Sequence, residues 1–239
     1  MESHFDSQVK QLYEKSKEIV NTTDMLKSNR AGDKWEPAWP QDFKRDFFNL
    51  VDQASLSLMQ ENDDFYGYFL IQMAREIRVD MSSLTGVNFK GARYVIYFNP
   101  IIFLTLTLKQ MESVIKHEIF HIISMHLTRA KALKGRYSTL AINMAMDVVV
   151  NQFLEYLPPY ATTLESVNLH YNLKLKSYET FEYYVEKLQT EFDLQEEDEE
   201  GEENDANESE DLKTAYNPEK THDMWGESDE IEEQTIKEF

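Results

Sequence analysis

The segment that most restricts how this chain can fold is an apolar helix that carries charge. Between Val114 and Met125 the residues Val114, Ile115, Ile119, Phe120, Ile122, Ile123 and Met125 are apolar. Within positions 117–123 the polar exceptions are His117, Glu118 and His121 alone. A helix that is apolar nearly all round belongs in an interior. Burying a carboxylate and two imidazoles there without partners costs several kcal/mol. The fold must either bond these groups to other protein atoms or gather them around an ion.

Their spacing favours the ion. His117-Glu118-Ile119-Phe120-His121 is an HExxH motif, and two histidines four apart lie one turn from each other on a single helical face. By chance such a motif arises in about one chain in a hundred of this length. Neutral imidazoles bind zinc well, and zinc makes a water acidic enough to attack a carbonyl near neutral pH. Glu118, beside the first histidine, is then the expected catalytic base, taking the water's proton and passing it to the leaving nitrogen.

A hydrolytic zinc site usually takes three protein ligands. His126 is the nearest further histidine, but on a continuous helix it sits about 140° around from His121 and faces away. No Gly or Pro is present near Ser124 to break that helix. Downstream, Asn143, Asp147, Asn151 and Glu155 recur every fourth residue, with apolar Ile142, Met144, Ala145, Met146, Val148, Val149 and Val150 between them. This stripe is either a solvent face or the lining of an internal site. Lys and Glu would serve a solvated face better than Asn-Asp-Asn. Asp147 is therefore the preferred third ligand, with His126 as the alternative. The metal set is His117, His121 and Asp147, with Zn²⁺ the expected ion, although imidazole and carboxylate also admit iron, cobalt or manganese.

Around this pair of helices the pattern is α+β and mostly helical. A peripheral helix is expected over 5–30, core helices over Phe43–Met59 and Phe65–Ile77, and a buried strand over 93–99 ended by Asn99-Pro100. Thr107 and Gln110 form a capping box for a helix running to about Leu133. Further helices are expected over Ser138–Tyr156, before Pro158-Pro159, and Tyr178–Leu188. Tyr94–Phe98 is read either as an ordinary core strand or as the edge strand on which an extended peptide aligns. Tyr137 and Arg129 are candidates for stabilising an oxyanion. His4 and His170 are read as incidental.

Charge divides the chain of 239 residues unevenly. Positions 191–239 hold 21 acidic residues against three lysines, whereas residues 1–190 are nearly neutral. From Glu191 to Asp211 there are 13 acidic residues and no basic one. Disorder is expected there, because such a run cannot bury enough surface to offset its ordering entropy. The expected organisation is a domain over 1–190 and an acidic tail over 191–239. The tail is read as solubilising, as a docking segment for a basic protein, or as a flap over the site.

The same composition excludes several classes. A basic footprint for nucleic acid is absent. Without cysteine there are no disulfides, thiol nucleophiles or cysteine-ligated metals. None of the seven glycines falls in a nucleotide-binding loop. The start MESHFDSQVK lacks a signal-peptide pattern, and the apolar run at 94–108 is too short to span a bilayer. A soluble, cytoplasmic protein with no membrane partner is expected.

The segment NPIIFLTLTLKQMESVIKHEIFHIISMHLTRA, followed by LAINMAMDVVVNQFLEYLPP, resembles the metallopeptidase-type domain often encoded beside von Willebrand factor A-like domains in bacteria and phages. The matching features are the strand before Asn99-Pro100, the HExxH with His126 and Arg129 after it, Asp147-x-x-x-Asn151, and Leu157-Pro158-Pro159. The region of Glu179, Tyr183, Tyr184 and Leu188 also fits, as does His222-Asp223-Met224-Trp225 beyond the acidic run. The resemblance spans roughly residues 45–230. It implies a zincin-like peptidase acting on a protein or peptide, in a host cytoplasm if phage-encoded. The competing expectation is a metal-binding structural or interaction protein that cleaves nothing and acts through its acidic tail.

Overall fold

The structure is a computed structural model that describes residues 3–27, 37–60, 64–91 and 93–199. His222 and Asp223, and the tail from residue 200 onward, lie outside the described residues. Over the described residues the fold is mostly helical with one three-stranded sheet, as the sequence pattern predicts. By contacts the chain divides into two compact units, one reaching Ile119 and the other beginning at Phe120.

The first unit opens with helix α1 (His4–Lys27), followed by α2 (Gln41–Gln60) and α3 (Asp64–Gln72). On α2 the buried residues Phe43, Phe47, Leu50, Val51, Ala54 and Leu58 recur every three or four positions and form one apolar face. Phe47 is the hub of this core. Its ring meets Phe43 at 6.0 Å, Phe98 at 5.9 Å and Phe103 at 6.0 Å. Helix α3 packs against α2 through Gly67, where an added Cβ would lie 2.6 Å from the Met59 side chain and 2.9 Å from the Ser55 carbonyl oxygen. Only glycine permits that approach.

The sheet has the order β1-β3-β2, from β1 (Ala74–Ile77), β2 (Thr85–Lys90) and β3 (Arg93–Phe98). β1 lies parallel to β3, with Ala74 opposite Val95 and Ile77 opposite Phe98. β2 runs antiparallel to β3, with Thr85 opposite Phe98, and turns at Gly91 with φ +63°. One expectation is corrected here, and one pair of alternatives is resolved. The helix expected over Phe65–Ile77 ends at Gln72, because the backbone of 74–77 pairs with β3 instead. Tyr94–Phe98 is the central strand, hydrogen-bonded on both sides, so it offers no edge to a peptide.

Asn99 joins the sheet to the helices that follow. Its side-chain oxygen accepts from the Ile101 N–H at 3.1 Å and its amide donates to the Met81 carbonyl at 3.0 Å. With Pro100 in the first turn, it starts the short helix α4 (Pro100–Phe103). Helix α5 (Leu108–Ile123) begins with the expected capping box. The Thr107 N–H donates to Gln110 Oε1 at 3.0 Å, and the Gln110 N–H donates to Thr107 Oγ1 at 3.3 Å.

In the second unit α6 (His126–Leu133), α7 (Thr139–Asn151), α8 (Leu164–His170) and α9 (Phe181–Glu199) follow. Ser138 caps α7 by accepting from the Ala141 N–H at 3.1 Å. α7 stops at Asn151 rather than Tyr156, because its last groups bond sideways. Asn151 donates to the Thr162 carbonyl at 2.8 Å, and Gln152 donates to that of Val148 at 2.9 Å. Tyr184, fully buried, donates to the Lys176 carbonyl at 2.6 Å and ties α9 to the loop before it. α9 runs past the expected boundary at 190. Phe192 packs edge-on to Tyr171 at 5.2 Å, so the first acidic residues continue a helix anchored by an aromatic contact. No described helix is long and apolar enough to cross a membrane.

Candidate metal centre

The site grows from the periodicity of α5. His117 and His121 stand one turn apart on this helix, His117 half-buried and His121 fully buried. Asp147 is buried in the middle of α7, as are its stripe neighbours Asn143 and Asn151. The stripe is therefore an internal lining and not a solvent face. Its fourth member, Glu155, lies beyond the end of α7 and is exposed.

His117, His121 and Asp147 each offer one ligand atom, and these atoms all lie within 4.8 Å of one another. This is a group that could hold a metal ion. One distance within it suits a shared ion. His121 Nε2 and Asp147 Oδ1 are 3.5 Å apart, with both side chains almost wholly buried. A direct hydrogen bond would bring them to about 2.7–3.2 Å. Two donors about 2.0–2.1 Å from a tetrahedral metal stand roughly 3.3–3.5 Å apart. Imidazole nitrogen and carboxylate oxygen are also the donor types that zinc and its neighbours accept.

Glu118 is buried, and its Oε1 accepts a hydrogen bond from Thr85 Oγ1 at 2.7 Å. Thr85 opens β2, on the sheet of the first unit. Sequence reasoning missed this residue. Its partner is 33 positions away, and no local pattern marks a lone threonine as the one that meets a glutamate.

A model of the family described as "Putative metallopeptidase domain" matches residues 51–238. The chain belongs to this family. Searches of curated proteins and of solved structures return no match. Family membership and the grouping of His117, His121 and Asp147 together support a metal-dependent peptidase, a class that acts on proteins or peptides.

His126 is placed differently from the sequence expectation. The helix does break after Ile123, with no Gly or Pro to break it. Met125 adopts φ 54°, ψ 35°, a left-handed conformation that costs a non-glycine residue about 1 kcal/mol or more. That turn starts α6 at His126 and swings its ring inward. His126 is fully buried, and its Nδ1 lies 2.9 Å from His121 Nδ1. It meets the back of His121, and the candidate ligand group does not include it.

The surroundings of that turn hold it closed. Arg129 Nη1 donates to the Ser124 carbonyl at 3.1 Å. The rest of its guanidinium grips Glu182 with two bonds, at 3.0 and 2.7 Å. Those bonds hold the Glu182 carboxyl below the ordinary glutamate range. Arg129 also covers the Phe181 ring, whose other neighbour is the His126 ring at 5.2 Å. Arg129 thus serves the turn with three of its five N–H donors. Tyr137 bridges to Lys134 beyond α6 and stacks with Arg136, while His170 ends α8 edge-on to Tyr171.

Proposed function

We propose that the protein is a zinc-dependent peptidase with a zincin-like core, hydrolysing peptide bonds in protein or peptide substrates. The observation that carries this reading is the 3.5 Å spacing of two buried donors, His121 Nε2 and Asp147 Oδ1, one helical turn from His117. His117, His121 and Asp147 would hold Zn²⁺, which would supply the Lewis acidity that polarises the scissile carbonyl and makes water nucleophilic.

The chain's own groups do the rest. Glu118 takes the proton from the attacking water and delivers it to the leaving nitrogen, as a base and then an acid. Thr85 fixes the direction of that carboxylate through its hydroxyl hydrogen bond, so the base does not have to find its orientation during each turnover. His121 and Asp147 are buried and His117 is half-buried, so the residues that would hold the ion are largely shielded from bulk water.

The test has two readouts. Elemental analysis of the purified protein should find about one zinc per chain, with clear loss in Asp147→Ala. Glu118→Gln should retain the metal and lose hydrolysis of a mixed peptide library by about 100-fold or more. Metal retained together with undiminished cleavage in Glu118→Gln would sink the mechanism. Metal bound without cleavage by the parent would favour a structural role for the ion.

A further inference from the structure

We propose that His126 is a positioning residue for the metal: its Nδ1 accepts the Nδ1–H of His121 and so turns the lone pair of His121 Nε2 towards Asp147. The inference rests on the metal reading above and assigns to this chain a residue that acts through a ligand rather than as one.

The argument starts from hydrogen counting. Two ring nitrogens 2.9 Å apart must share one hydrogen, because two would clash and none would leave lone pairs opposed. With both rings neutral, only two arrangements exist. In the first, His126 donates; His121 then carries its hydrogen on Nε2, pointing towards Asp147 Oδ1, and that nitrogen has no lone pair to give an ion. In the second, His121 donates from Nδ1. Its Nε2 then presents a lone pair beside the carboxylate oxygen, at the spacing of two ligands on one metal. Only the second arrangement binds a metal through His121 Nε2, and it requires an acceptor where His126 Nδ1 stands. Both rings are fully buried, so bulk water is poorly placed to take over as that acceptor.

The local fold is built to supply the acceptor. A left-handed Met125 reverses the chain immediately before His126, at a residue type that resists this conformation. Arg129 pins the turn at the Ser124 carbonyl, and Phe181 packs on the His126 ring. A ligating histidine whose second nitrogen is oriented in this way binds its metal more tightly, and losing the orienting group typically costs about 10–100-fold in affinity.

The experiment uses the full chain, with zinc affinity measured by competition against a chromophoric chelator. His126→Leu removes the acceptor at similar bulk and should weaken zinc binding by about 10–100-fold. His126→Asn restores an acceptor, Oδ1, near the lost Nδ1 and should recover most of that affinity. Its Co²⁺ absorption spectrum should match that of the parent, since no ligand has changed. Nitrogen-15 imidazole correlations of the zinc-loaded parent should place hydrogen on His121 Nδ1 and on His126 Nε2. Melting of the metal-free variants shows whether each is folded; if the leucine variant is not, the asparagine and tautomer readouts still decide. Parent-like affinity in folded His126→Leu would overturn the proposal while leaving the metal site intact. So would a cobalt spectrum altered in His126→Asn, which would make His126 a direct ligand. A parent that takes up no zinc would overturn the metal reading itself.

Discussion

Helices α2 and α7 both bury a long face, but they bury different chemistry. On α2 the hidden residues are Phe43, Phe47, Leu50, Val51, Ala54 and Leu58, with Ser55 as a small exception whose hydroxyl donates to the Val51 carbonyl. On α7 the hidden residues include Asn143, Asp147 and Asn151 among the aliphatic ones. Buried apolar surface stabilises a fold by about 25 cal/mol per Å². A buried carboxylate works against it. Under the proposed metal reading, the contrast separates a helix selected for packing from one that keeps a costly group for what it would bind.

Four measurements would break or sharpen the contrast. The largest effect is expected for Phe47→Ala, which empties the middle of the aromatic cluster and should cost about 3–5 kcal/mol in denaturant unfolding, with or without zinc. Next comes Gly67→Ala, where the new methyl meets the Ser55 carbonyl and the Met59 side chain; about 1–3 kcal/mol of destabilisation is expected, again independent of metal.

The third has the opposite sign. Asp147→Asn should leave the metal-free protein unchanged or more stable by about 1 kcal/mol, while removing the stabilisation that added zinc gives the parent. A clear loss of metal-free stability instead would make Asp147 a structural residue like those of α2.

The smallest effect concerns the Arg129–Glu182 pair. The glutamate is largely exposed, so Glu182→Gln should cost a few tenths of a kcal/mol at neutral pH. The hydrogen bonds from Arg129 depress the Glu182 carboxyl in the fold. Its contribution is therefore complete above the ordinary glutamate value and fades as pH falls through the lower folded value. Acid unfolding curves of parent and variant should converge at the low end of that window.

Much of the site could be read without a structure because its rules are local. The one-turn spacing of His117 and His121, the reciprocal bonding of Thr107 and Gln110, and the four-residue recurrence that singles out Asp147 all follow from helical geometry. The errors fall where distant atoms decide. Residues 74–77 carry no strand pattern strong enough to outweigh the helical run before them, and they become β1 because β3 offers its edge. Glu155 continues the stripe in sequence, yet the helix beneath it ends when Asn151 bonds to Thr162.

His126 shows the division most clearly. A chain with methionine at position 125 is expected to remain helical there, since propensity disfavours the left-handed turn. The turn forms because contacts made elsewhere, from Arg129 to Ser124 and from Phe181 to the His126 ring, accompany an inward histidine. By itself the sequence determined which residues can serve as ligands and base, through the types present and their helical period. Only the tertiary structure decided that Asp147 faces His121, that Thr85 meets Glu118, and that His126 stands behind His121, since these pairings depend on packing between segments that local propensity does not encode.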